Sequence, residues 1–307
     1  MQRRSRSSEF AGLLLAAATL FVPGLSMAAA DKKPAAPVVI TNHFFRTSDG
    51  ARLHYLKARP SGIHKQAQVI VLVPGWSMPA SLWRAQLRSL GRSHRVIAFD
   101  PRGQGQSEVP ADGYHIDRRA DDLHDLVSAH DKVVLVGWSL GALEVLQYLH
   151  RHGAGKLAGL VLVDSSVGEG QAGSPSRFQE ELRRNRRVML GEFIKAIFKT
   201  PRSEREIKSL VNGAMRMPLE ASLSLFPSHV LREHWRETVH GYSGPLLYAV
   251  TPQFAEQARQ LRSNRPGTRI EMFDKAGHAL FVDEPERFNR LLGEFIDKSI
   301  VPGRTEE

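Results

Sequence analysis

A serine flanked by two glycines is the feature of this sequence best suited to covalent chemistry. Ser139 lies at the centre of "GWSLG", two residues from Gly137 and two from Gly141. The stretch "KVVLV" before it is typical of a buried strand, and "LGALEVLQYLHRHG" after it has a helical pattern. A strand-to-helix turn that lifts a hydroxyl above a sheet leaves no room for side chains on either side. We therefore predict that Ser139 is a nucleophile; the alternative is a serine that only caps the helix.

A serine nucleophile needs a base, and His278 is the candidate among 13 histidines. It follows the strand-like segment "TRIEMFD" across the small pair Ala276-Gly277. The carboxyl ends of parallel strands meet at one edge of a sheet, so this loop can place the imidazole over the edge that presents Ser139. We predict that His278 takes the serine proton and returns it to the leaving group. The alternative is a structural histidine that binds backbone groups.

Another histidine-containing group could suggest a metal site. His115, Asp121 and His124 lie close together in the sequence. Their spacing follows a helical period and their neighbours are of the kind found at a surface, which favours an exposed helix face. The sequence therefore predicts no metal.

The elements that must position these residues alternate between strand and helix. The segment "HFFRTSDGARLHYLKA" predicts a hairpin that turns at Asp49-Gly50. The strand-like segments "QVIVLVPG", "HRVIAFD", "KVVLVG" and "LAGLVLVD" then alternate with helical segments, as in a parallel α/β sheet. This alternation stops at Ser165 and resumes near Pro245, and the intervening residues are helical and rich in arginine. We predict a helical cap inserted after the sixth strand.

The predicted domain organisation follows from these boundaries. A first part of the core spans residues 38–164, the cap residues 165–244 and a second part of the core residues 245–300, before a tail at 301–307. Residues 1–30 resemble a secretory signal, with three early arginines, the apolar run "AGLLLAAATLFVPGL" and small residues at Ala28 and Ala30. We expect cleavage near Ala30, a linker at 31–37 and a secreted or periplasmic protein. The alternative is an uncleaved membrane anchor, although the apolar run is short and contains Pro23.

The positive charge of the chain raises the question of a nucleic-acid or membrane partner. The chain of 307 residues has a formal net charge of +10 and no cysteine. The basic run "RRNRR" at residues 183–187 could suggest a nucleic-acid site, but it is interleaved with glutamates, and no zinc-finger or RNP-type motif is present. We interpret it as a solvated helix face and predict no nucleic-acid partner. If the run binds anything, anionic lipid headgroups suit an exported protein better.

Four motifs in order carry a family resemblance. They are "VPGWS" after the third strand, "FDPRGQGQS" after the fourth, "GWSLG" and "AGHALFVDEPERF". With them, residues 38–300 resemble the α/β-hydrolase superfamily in its capped esterase-like or haloperoxidase-like branch. The resemblance implies a mostly parallel sheet with helices on both faces, and hydrolysis without a cofactor. A serine at the elbow differs from the aspartate of the haloalkane dehalogenases and epoxide hydrolases of this fold.

The resemblance also implies the groups that stabilise an oxyanion. The backbone N–H groups of Trp76 and Leu140 are the expected donors. Pro74 stands where the family often has histidine, which removes a side-chain hydrogen bond but no backbone donor. Trp76 and Trp138 could form an apolar substrate pocket, or could equally be packing residues.

The orienting acid is the least regular part of the pattern. In most relatives it follows the strand matched by "PLLYAV", but here Phe254 lies about where that aspartate should fall. Asp164 ends "LAGLVLVD", a position at which some lipases and dehalogenases of the superfamily carry their acid. We predict Asp164 as the acid, with Glu256 as the alternative, and interpret Asp100 and Asp283 as structural.

The sequence thus predicts an exported serine hydrolase that cleaves a small or medium carboxylic ester through an acyl-enzyme intermediate. Its partner would be a small-molecule ester, with no stable membrane insertion after signal cleavage; the oligomeric state stays open. Carbon–carbon bond hydrolysis and cofactor-free perhydrolase or haloperoxidase chemistry are alternatives on the same fold. A non-catalytic ligand-binding protein on this scaffold is the alternative from another class.

Overall fold

The computed structural model describes residues 37–60, 67–170, 177–226 and 230–300. They belong to one compact unit that begins at Pro37. The predicted signal peptide, nearly all of the linker and the tail lie outside the described residues.

Eight strands of this unit form one sheet in the order β1-β2-β4-β3-β5-β6-β7-β8. The strands are β1 (Ile40–Arg46), β2 (Arg52–Ala58), β3 (Val69–Val73), β4 (Arg95–Asp100), β5 (Val133–Trp138), β6 (Leu157–Val163), β7 (Leu246–Val250) and β8 (Arg269–Met272). Strand β2 pairs antiparallel with β1 and with β4, and the other pairs are parallel. The predicted mostly parallel sheet and the hairpin at Gly50 are confirmed.

The described residues form eleven α-helices. They are α1 (Arg84–Leu90), α2 (Ile116–Ser128), α3 (Leu140–His152), α4 (Phe178–Arg184), α5 (Arg186–Ala196), α6 (Glu204–Ala214), α7 (Leu219–Ser224), α8 (Arg232–Gly241), α9 (Ala255–Asn264), α10 (Leu280–Asp283) and α11 (Pro285–Ser299). Helix α1 packs with α11, whereas α3 packs with α2 and α8. These two groups of helices cover the sheet, and every residue of β3 and β5 is buried, as their β-branched sequences predict.

The strand register brings the chemistry-bearing residues to one edge. Val73 of β3 pairs with Gly137 of β5, and Trp138 pairs with Val163 of β6. Val163 in turn pairs with Ala249 of β7. The segments that follow these four strands therefore leave the sheet side by side, at its carboxyl edge.

Helices α4 to α8 lie between β6 and β7, which confirms an insertion after the sixth strand. Three arginines of the basic run bind inside this insertion: Arg183 pairs with Glu220, Arg186 donates to the carbonyls of Ala214 and Met217, and Arg187 donates to Asn212. Part of the run therefore joins α4 and α5 to α6 and α7. Within the described ranges, no helix is long and apolar enough to cross a membrane.

Candidate active site

Ser139 is at the apex of the turn between β5 and α3. Its backbone has φ 56° and ψ −122°, and its side chain makes no capping hydrogen bond with α3. A Cβ at Gly137 would lie 2.4 Å from the carbonyl oxygen of Gly141, and one at Gly141 would lie 2.6 Å from that of Val73. Both positions therefore require glycine, as predicted from the motif. The hydroxyl is left available for chemistry.

Strained backbone is concentrated around this turn. Among the described residues, the non-glycine positions with positive φ are Ser77, Ser139 and Asp164, at 59°, 56° and 43°. Each follows a different strand, and all three strands end at the same edge of the sheet. Such conformations cost about 1–3 kcal/mol each and cluster where function requires them. All three positions therefore lie at the edge of the sheet that carries the candidate site residues.

The structure places Asp164 against His278. Nδ1 of His278 lies 2.7 Å from Oδ2 of Asp164, and the carboxylate is fully buried whereas the imidazole is 22% exposed. A hydrogen bond at Nδ1 leaves Nε2 as the nitrogen that can exchange a proton with a substrate or a nucleophile.

Thr251, which directly follows β7, completes the environment of Asp164. Its backbone N–H and its hydroxyl donate to Oδ1 of Asp164 at 2.6 and 2.8 Å. The Asp164 carboxylate thus accepts two donors from Thr251 on one oxygen and faces His278 with the other. These contacts hold the carboxylate in place. No motif in the sequence marks Thr251 as a site residue.

Glu256, the alternative acid, lies in a different environment. It is in the first turn of α9, where it is exposed and interacts with Arg259 and Gln260 of its own helix. Asp100 is buried and binds His54 together with the N–H groups of Ala80 and Gln106. No contact of Glu256 or Asp100 with His278 is found in the described part of the chain. Asp164 is the carboxylate that the fold brings to the histidine.

Two residues brace the loop that carries His278. Nε1 of Trp138 donates to the carbonyl oxygen of His278 at 2.8 Å. Trp138 is only 1% exposed and supports this loop, which agrees with the packing alternative; that it also lines a substrate pocket stays a prediction. Asp283 accepts from the N–H groups of Gly277, Lys199 and Thr200 at 2.8–2.9 Å, which ties the loop to the end of α5.

The predicted oxyanion donors lie on either side of the serine. The segment Gly75 to Met78 makes a tight turn in which the N–H of Met78 donates to the carbonyl of Gly75 at 3.2 Å. A Cβ at Gly75 would lie 3.0 Å from Cβ of Ser139, so this turn passes directly beside the nucleophile. Leu140 is the first residue of α3, where an N–H has no acceptor in its own helix. The arrangement suits two backbone donors that face one oxygen.

The side chain of Trp76 connects this turn to the cap. Its indole N–H donates to the carbonyl of Ser222 at 2.6 Å. Its ring lies 5.2–5.7 Å from those of Phe178, Phe193 and Phe226, all in the inserted segment. The cap therefore packs through an aromatic cluster on the turn from Gly75 to Met78, which we call the oxyanion turn because it carries a predicted oxyanion donor. That Trp76 lines a substrate pocket stays a prediction.

The described residues contain no group of three or more potential ligands arranged to hold a metal ion. His115 accepts a hydrogen bond from the N–H of Arg118 at the start of α2. Asp121 binds Arg151 and His152 of α3. His115 thus caps α2, and Asp121 joins α2 to α3.

The model of the alpha/beta hydrolase family matches residues 70–291, more than two thirds of the chain. The chain belongs to this family. It is 39% identical over 103 residues to a non-heme chloroperoxidase of Kitasatospora aureofaciens, covering 33% of this chain and 38% of that protein. The first three curated relatives are matched over only 36–43% of their own length.

Esterases are among the proteins that match over a longer part of the chain. The pimeloyl-[acyl-carrier protein] methyl ester esterase of Vibrio cholerae is 26% identical over 252 residues, which are 75% of this chain and 94% of that protein. The structure of an esterase from Exiguobacterium antarcticum superposes with a TM-score of 0.72 at 23% identity, covering 84% of this chain and all of the other. At that identity the superposition shows the shared fold alone.

Proposed function

We propose that this member of the alpha/beta hydrolase family is a serine hydrolase that cleaves a small or medium carboxylic ester. The observation that carries the proposal is the 2.7 Å contact between His278 and the buried Asp164, at the sheet edge where Ser139 forms the strained turn. The similarity to an ester-cleaving relative over most of both chains is additional support.

In the proposed mechanism, Nε2 of His278 takes the proton of the Ser139 hydroxyl as the oxygen attacks the ester carbonyl. The backbone N–H groups of Trp76 and Leu140 donate to the oxygen that becomes negative. The imidazolium then gives its proton to the leaving alcohol, and an acyl-serine remains. Water, deprotonated by the same histidine, releases the acid and restores the serine. Asp164 holds the imidazole in the tautomer that this cycle needs.

A second candidate differs only in the molecule that attacks the acyl-serine. With hydrogen peroxide in place of water, the products are a peracid and the free serine. The similarity to a chloroperoxidase supports this alternative. Peracid formation from acetate and peroxide, measured beside ester hydrolysis, separates the two activities.

Export is part of the proposal. The arginines, apolar run and small residues within positions 1–30 support a cleaved signal and a secreted or periplasmic enzyme. The expected mature protein begins near Asp31, and the mass of the protein recovered outside the cytoplasm tests this. A full-length protein held in membranes would instead indicate an uncleaved anchor.

The activity itself is tested with aryl esters of graded acyl length and a fluorophosphonate probe. We expect turnover by the wild type and labelling at Ser139, both abolished in Ser139→Ala with the fold retained, because the change removes one half-buried hydroxyl that makes no capping hydrogen bond. His278→Ala should be comparably impaired, and the double variant little worse, since the two residues act as a unit. No hydrolysis of any ester and no label on Ser139 would refute the proposal.

A further inference from the structure

Gln104, which lies after β4, contacts the oxyanion turn from inside the protein. It is 1% exposed. Its Nε2 donates to the carbonyl oxygens of Gly75, at 3.1 Å, and of Met78, at 2.7 Å. A single side-chain amide thus holds both ends of the turn. Neither the sequence motifs nor the proposed mechanism assigns it a role.

One of these two carbonyls shares its peptide with an oxyanion donor. The C=O of Gly75 and the N–H of Trp76 belong to the same planar trans unit, so they point in opposite directions. The hydrogen bond from Gln104 to the carbonyl oxygen of Gly75 therefore fixes the direction in which the N–H of Trp76 points. The hydrogen bond also polarises the peptide, which makes that N–H a stronger donor. This restraint matters because Gly75 has no side chain, so the peptide between Gly75 and Trp76 can rotate more freely than it could after any other residue.

The orientation of the Gln104 amide is itself fixed. Its Oε1 accepts from Nη2 of Arg119 at 2.8 Å, so its amino group must face the two carbonyls. Arg119 is also buried, donates to the carbonyl of Arg102 and lies 2.8 Å from Oε1 of Glu144. Glu144 is on α3, the helix that begins directly after Ser139. The chain of contacts therefore connects the turn that holds one oxyanion donor to the helix that holds the other.

We propose that Gln104 is a positioning residue that aims the Trp76 N–H at the developing oxyanion, with Arg119 and Glu144 holding Gln104 in place. The inference rests on the proposed serine-hydrolase function and extends it to three buried residues that do not touch the substrate. Such a residue acts on the transition state, in which the oxygen carries full charge, far more than on the bound ester.

The test compares Gln104→Met with Gln106→Met, the same substitution two residues along the chain at an exposed site. Removing an oxyanion donor outright costs about 10²–10³ in kcat, so misaiming one should cost roughly 10–100-fold. In Gln104→Met we expect this roughly 10–100-fold loss of kcat, with KM changed less than about twofold. In Gln106→Met we expect the kcat and KM of the wild type. The inhibition constant of a trifluoromethyl ketone, whose serine adduct carries an oxyanion, should rise by the factor by which kcat/KM falls.

Folding is measured separately, by thermal unfolding and by the end-point stoichiometry of fluorophosphonate labelling. A purely structural role would lower the labelled fraction but leave kcat per labelled site and the ketone's inhibition constant unchanged, and this result would overturn the inference. Gln104→Leu also keeps most of the volume and offers the carbonyls no donor at any pH, so it should show the same losses. Full kcat in folded Gln104→Leu would also overturn the inference. A wild type without esterase activity would refute the proposed function instead.

Discussion

At Asp164, three donors surround one buried carboxylate: two from Thr251 and the Nδ1–H of His278. An amide at this position would place an NH2 group against at least one of them, or force the imidazole to carry its proton on Nε2. The histidine could then no longer accept the proton of Ser139. We therefore expect Asp164→Asn to lower kcat by about 10³–10⁴ in steady-state ester hydrolysis, with the fold retained.

Glu256→Gln is the control for this prediction, because Glu256 is an exposed carboxylate that interacts within its own helix. It should leave kcat within about twofold, as surface substitutions usually do. A severe loss in Glu256→Gln together with a mild one in Asp164→Asn would place the acid on α9 instead.

The reactive residues could be anticipated from the sequence because each occupies a motif at a strand end. The two flanking glycines predict Ser139, and the position after the sixth strand predicts Asp164. Gln104 also lies in a motif after a strand, "FDPRGQGQS", but the motif does not indicate what its amide contacts. Its partners are backbone carbonyls 26 and 29 residues earlier, and an amide carries no reactive group that a motif search would select. The contact exists only once β3 and β4 are paired.

At the scale of elements, the loop that carries His278 and the end of α5 share one anchor. Asp283 of α10 accepts from the N–H groups of Gly277, Lys199 and Thr200. The N–H of Ala279 also donates to the carbonyl of Ile197 at 2.8 Å. The inserted segment is thus fixed to the loop that carries His278 at this point.

We expect Asp283→Asn to destabilise the protein by about 1–3 kcal/mol, because an amide presents an N–H group to at least one of these donors. It should also lower kcat, since the histidine loop loses part of its restraint. Asp274→Asn, at an exposed position of the segment that leads to His278, is the matched control and should change neither quantity. Urea unfolding and ester hydrolysis provide the two measurements. Unchanged kcat in a destabilised Asp283→Asn would show that this anchor does not position the histidine.

The strands were predictable because burial on both faces requires continuous β-branched sequence, as in β3 and β5. The inserted helices were predictable as a group but not in their packing. Helix α8, inside the predicted cap range, contacts α3 through His234 and Gln147, whose Nε2 and Oε1 atoms are 2.7 Å apart. A polar pair between residues 87 positions apart leaves no signal in the periodicity of either helix.

At the scale of the whole molecule, the titration of Glu144 makes the free energy of unfolding depend on pH. Burial raises its pKa to about 7 from an ordinary value of 4.5, although Arg119 opposes the shift; the charge of Asp122 adds to it. Between pH 4.5 and 7 the unfolded chain has therefore lost a proton that the folded protein still holds. The free energy of unfolding must fall as pH rises through this window, by up to about 1.4 kcal/mol per pH unit from this group.

Glu144→Gln removes this titration and keeps the volume of the side chain. We expect the wild type to lose about 2–3 kcal/mol relative to Glu144→Gln between pH 5 and pH 8, from urea unfolding of both proteins at each pH. Glu192→Gln, an exposed residue of α5, should follow the wild type at both values. The other titrating groups are common to the wild type and Glu144→Gln and cancel in the comparison of these two proteins. If the wild type and Glu144→Gln differ by the same amount at both pH values, Glu144 is already ionised in the folded protein at pH 5. Arg119 and Glu144, on α3, would then form an ion pair at both pH values.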